Sequence, residues 1–118
     1  MELAESRTGV VVTLAPTGRI DHQTADKLQE ALQPYLAKCS ADGDRLLIDL
    51  SNVNYISSVG LRALLLAAKA ARANKGRIAV AGMQPTVAEV LRISRTDSIL
   101  PTYAGIADAI AELERPSP

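Results

Sequence analysis

Between Arg45 and Asn74 the apolar pattern changes its period within a few residues, and few folds accommodate that change. Arg45 to Leu50 is almost continuously apolar, with Asp49 as its only charged interior position, which suits a strand buried on both faces. From Leu61 the spacing becomes helical: Leu61, Leu64, Leu65, Ala68 and Ala71 share one face, with Asn74 and Gly76 available to end the helix. Ser57-Ser58-Val59-Gly60 joins the two. A serine there can cap the helix by accepting a hydrogen bond from a first-turn amide. A hydroxyl at a helix mouth is also a place that receives a phosphate well, because free N–H groups and the helix dipole favour negative charge.

The remaining elements read outward from this unit. Val10 to Ala15 is β-branched and bounded by turns, and Leu3 to Arg7 pairs with it through a turn near Thr8-Gly9. Ile20 closes an extended piece. Asp21 is placed to cap a helix whose apolar positions are Ala25, Leu28, Ala31, Leu32, Tyr35 and Leu36, and which Pro34 should bend or end. Arg77 to Ala81 reads as a strand, Pro85 to Ile93 as a short helix, and Ile99 to Tyr103 as a strand that Pro101 confines to an edge. Gly105 to Leu113 reads as a last helix and Arg115 onward as a frayed tail. The expectation is one α/β domain over residues 1–118, with a mixed sheet of four to five strands and four helices in the order β-β-α-β-α-β-α-β-α.

Composition narrows the function. Thirteen basic and thirteen acidic residues cancel, and three tyrosines with no Phe or Trp leave no stacking platform, so nucleic acid is not an expected partner. The single Cys39 and the absence of a Cys/His cluster predict no internal disulfide, no metal and a reducing, cytoplasmic setting. The longest apolar run, Ala63 to Ala68, is far short of a span and is bracketed by Arg62 and Lys69, so no membrane insertion is expected. No Walker-type loop and no GxGxxG follow a strand, so no nucleotide or other cofactor is expected. Ile56-Ser57-Ser58-Val59-Gly60 has the strand-to-helix setting of a nucleophile elbow, but Ile replaces the leading Gly and His22 is the only candidate base. The chain is therefore read as having no catalytic activity.

Each singled-out residue also has a plain structural reading. Ser58 and Asp21 could be helix caps, His22 a solvated loop residue, Asp49 an exposed strand end, and Arg62 and Lys69 a wet helix face. At 100° per residue, however, Leu66 falls beside Arg62 and Lys69 and opposite Leu61, Leu64 and Ala68. A large apolar side chain beside two cations, on a helix that opens with a modifiable serine, reads as part of a docking surface.

Asp49-Leu50-Ser51, then Tyr55-Ile56-Ser57-Ser58-Val59-Gly60-Leu61, preceded by Gly18-Arg19-Ile20-Asp21 before a helix, resembles the STAS domain of bacterial anti-sigma factor antagonists. The resemblance runs from about Val10 to Leu113. It implies a small α/β domain that binds an anti-sigma factor, itself a serine kinase, and is released when phosphorylated on a helix N-terminal serine; a serine phosphatase resets it. By position the phosphoacceptor is Ser58, two residues before Gly60. Ser57 is a rival hydroxyl where many members carry Asp, and Asp21 lies in the neighbouring loop. The partner-binding set so implied is Asp21, Ser57, Ser58 and Gly60, to which the helix face adds Arg62, Leu66 and Lys69. The alternative is a structural STAS subunit of a transporter-associated or scaffold assembly that is never phosphorylated.

Overall fold

A computed structural model describes residues 3–116 of the chain. Strands β1 (Leu3–Thr8) and β2 (Val11–Pro16) form an antiparallel hairpin. β4 (Arg45–Asp49) lies parallel to β2, β6 (Ile78–Ala81) parallel to β4, and β7 (Thr102–Tyr103) parallel to β6. The result is a five-stranded mixed sheet in the order β1-β2-β4-β6-β7, an α/β fold with four helices, as the sequence predicts. The helices are α1 (Ala25–Ala37), α2 (Ser58–Ala73), α3 (Pro85–Ile93) and α4 (Ile106–Glu114).

Alternation along the inner strands divides the core. Val12, Leu14, Leu46, Ile48 and Val80 point to the face covered by α1, α2 and α3, while Val11, Leu47, Ala79 and Ala81 meet Ala109 and Leu113 of α4 on the other. The central strands have no polar face because both faces are covered, which is why β4 is nearly all apolar. Thr13 of β2 is buried, and its hydroxyl is without a hydrogen-bond partner among the described residues.

The expected order of elements needs one addition. β3 (Gly18–Ile20) and β5 (Val53–Ile56) form a separate two-stranded parallel sheet. Asp49 sets its start: Oδ1 accepts from the Ser51 amide at 2.9 Å and from Ser51 Oγ at 2.6 Å, turning the chain out of β4 towards β5.

Three further expectations change. The last strand is confined to Thr102–Tyr103, because a 3-10 turn at Thr96–Ser98 takes up the chain before it. α2 is capped at Asn74, as expected, but Lys75 and not Gly76 takes the left-handed region after it (φ 59°); the Gly76 amide returns to Ala71 O at 2.7 Å. Arg115 is not frayed, since its carbonyl accepts from Arg45 and from Arg77, both at 2.8 Å. Ser117 and Pro118, the end of the expected tail, lie outside the described residues. Pro34 sits inside α1, which ends within the following turn.

Candidate functional site

The small sheet aims α2. Ser57 leaves β5 extended (φ −91°, ψ 175°), its amide donates to Ile20 O of β3 at 2.9 Å, and its Oγ accepts from the Gly60 amide at 3.1 Å. A Cβ on Gly60 would stand 2.6 Å from Ile20 O and 2.9 Å from Ile56 Cγ1, so only glycine lets the helix mouth sit this close to the strand ends. The cap anticipated for Ser58 therefore belongs to Ser57. The physical reason is backbone conformation, since Ser57 stands extended just ahead of the helix, where its Oγ reaches the first-turn amides, and Ser58 is already helical. Ser58 is exposed at the first helical position, and its hydroxyl makes no hydrogen bond among the described residues.

Asp21 follows Ile20 directly and so neighbours this mouth. Its Oδ1 accepts from the Gln23 amide at 3.0 Å, while its own amide donates to Thr24 Oγ1 at 3.0 Å. Asp21 thus organises the turn ahead of α1; Thr24, not Asp21, stands at the cap position of the helix proper. The Gln23 amide first, and the Arg19 guanidinium after it, hold the Asp21 carboxyl below the usual range. Arg19 lies 3.4 Å from Asp21 Oδ2 and 4.0 Å above the Tyr55 ring, a cation–π contact on the outer face of the small sheet. His22 is exposed in the same turn and makes no hydrogen bond to either serine.

Beyond Ser58 the outer face of α2 forms one wall of an open groove of about 530 Å³. Ser58, Arg62, Leu66 and Lys69 lie along that wall at steps of four, four and three residues, the spacing of one helix face. Leu61 and Leu65 lie below them. Leu66 is 40 % exposed, as the helical projection predicts. Ser94, Thr96 and Ile99 make the opposite wall, which no periodicity in the sequence marks. Arg72 holds that wall in place by donating to Ile99 O at 3.0 Å, and Ser94 and Thr96 share a 2.8 Å hydrogen bond between hydroxyls. Of the expected partner-binding residues, Ser58, Arg62, Leu66 and Lys69 share the groove; Ser57 and the buried Gly60 shape its mouth, and Asp21 lies outside its lining.

The family model described as "Mlab, STAS domain" matches residues 3–101. The chain is 32% identical over 101 residues to the BtrV protein of Bordetella bronchiseptica, covering 86% of this chain and 84% of that one. It is 26% identical over 114 residues to the anti-sigma F factor antagonist of Paenibacillus polymyxa, covering 97% and 94%. The crystal structure of an anti-sigma factor antagonist from Mycobacterium paratuberculosis superposes with a TM-score of 0.84 at 25% identity, over 96% of this chain and 93% of that one. With the model match spanning most of the chain and these relatives aligning along nearly all of it, the chain belongs to the STAS domain family.

Proposed function

We propose that this chain is an anti-sigma factor antagonist that works by partner switching and performs no chemistry of its own. Unphosphorylated, it binds an anti-sigma factor that is a serine kinase; phosphorylated on Ser58, it is released, and a serine phosphatase returns it to the binding state. It acts as one domain in the cytoplasm. Relatives named as anti-sigma factor antagonists support the coarse reading.

The observation that carries the finer reading is the division of labour at the helix mouth. Ser57 supplies the cap, leaving the Ser58 hydroxyl exposed and unengaged beside an apolar and cationic groove. Phosphorylation there adds about −1.5 to −2 charges, which the first-turn amides and helix dipole tolerate in the free protein. A partner covering the groove would have to bury that charge. A penalty of about 3 kcal/mol weakens binding more than a hundredfold, enough to exchange partners without refolding.

Mass spectrometry after incubation with the cognate kinase and ATP tests this. The native chain and Ser57→Ala should gain one phosphate, and Ser58→Ala none. A phosphate mapped to Ser57 would reassign the acceptor, and an unmodified native chain would favour the structural subunit of a larger assembly.

A further inference from the structure

We infer that the groove between α2 and the segment 94–99 seats an amphipathic helix of the partner whose apolar stripe is flanked by acidic residues. The inference rests on release by Ser58 phosphorylation and deepens it by naming the chemistry of the occupant. Three features lead to it.

The groove's apolar surface is furnished from both walls: Leu66 is 40 % exposed and Ile99 37 %, with Leu61 and Leu65 below. Among the described residues the lining charges are Arg62 and Lys69, and no carboxylate lines the groove. Of the acids on the neighbouring chain, Glu89 is paired with Arg92, and Asp97 lies outside the lining. An apolar stripe edged by carboxylates is the complement of such a surface.

Length agrees. Ser58 to Lys69 covers about 16 Å at 1.5 Å per residue, so the wall matches about three turns of a docked helix.

The sign of the switch adds a constraint that shape alone does not. A dianion placed at Ser58, on the same wall as Arg62 four residues on, adds negative charge to a cationic groove and occupies one of its cations. That repels an acidic occupant. A basic occupant would be drawn in by the same phosphate, and phosphorylation would then tighten binding. The desolvation cost acts on any occupant; an acidic one adds repulsion to it and a basic one opposes it, so release on phosphorylation favours an acidic occupant.

The test uses two hydrocarbon-stapled helical peptides of fourteen residues with the same leucine stripe, one flanked by Glu and the other by Lys. Each is titrated into the ¹⁵N-labelled full-length chain. The Glu peptide should shift amides of residues 58–69 and 94–99. It should bind at least about tenfold more weakly to Arg62→Glu/Lys69→Glu, and to the chain carrying genetically encoded phosphoserine at position 58. The Lys peptide should show the opposite preferences. Equal affinity of the two peptides for the native chain, or shifts confined to other surfaces, would overturn the inference. Groove binding of the Glu peptide that phosphoserine leaves unchanged would support the groove's chemistry and overturn the release reading. If neither peptide binds while a kinase partner still discriminates the phosphorylated chain, the groove inference alone falls.

Discussion

Two adjacent serines with the same side chain do different work because one backbone is extended and the other helical. Ser57 satisfies the Gly60 amide, so Ser57→Ala should cost about 1 kcal/mol in urea unfolding. Ser58 is exposed and makes no such bond, so Ser58→Ala should stay within about 0.5 kcal/mol of the native chain. Equal losses would show that the two share the cap. The sequence places a serine cap at this helix but on Ser58, one residue late, because the choice depends on where β5 ends, and a four-residue strand leaves no periodic mark. Leu66 is legible because it breaks a helical stripe. Lys75 is not: Gly76 looks like the helix stop, yet its own role is contact, since a Cβ there would stand 2.6 Å from Cys39 Sγ.

Among the elements, α3 runs over the residues its sequence indicates, because Pro85 opens it and Val87 and Leu91 repeat at helical spacing on its buried face. The β3/β5 sheet escapes a local reading, since three and four residues acquire meaning only by pairing across the chain. The groove's second wall escapes for a similar reason: Ser94, Thr96 and Ile99 come to face α2 only after α3 has folded back. α4 is held at its end by two arginines, Arg45 at the start of β4 and Arg77 just ahead of β6. Arg77 donates to Glu112 O at 2.9 Å and to Arg115 O at 2.8 Å, while Arg45 donates to Leu113 O and Arg115 O. The C-terminal carbonyls of a helix lack internal partners, and guanidinium groups satisfy them and complement the dipole. Arg77→Ala should therefore cost about 1.5 kcal/mol and speed hydrogen exchange in α4 more than in α1 or α2. Exchange rising equally in all helices would mean that α4 has no separate hold.

Over the whole molecule, the edge strand β1 is anchored by polar contacts to α1 and to the turn that leads into β4. Arg7 grips Asp44 with two hydrogen bonds of 3.0 Å, and Tyr35 Oη donates to Glu5 at 2.6 Å. The Arg7 hydrogen bonds hold the Asp44 carboxyl below its usual range. Because the folded value is depressed, the stabilisation is present above the unfolded Asp value of about 3.9 and is lost as pH falls through the lower folded value. Asp44→Asn should thus be less stable than the native chain at pH 7 and approach it near pH 3, as measured by urea unfolding at both. A constant difference would mean that the pair does not titrate as described. The anchor and the helix mouth belong to the same three-helix layer, but no hydrogen bond described above links them, and α4 lies across the sheet from both. The cap on Ser57 then has a bearing on time. The Ser58 side chain makes no hydrogen bond among the described residues, so if Ser58 is the acceptor, as proposed above, a mark written on that hydroxyl and later erased breaks no such bond. Such a protein keeps no memory of its last state. The tempo of the proposed response then belongs to the enzymes that would write and erase the mark.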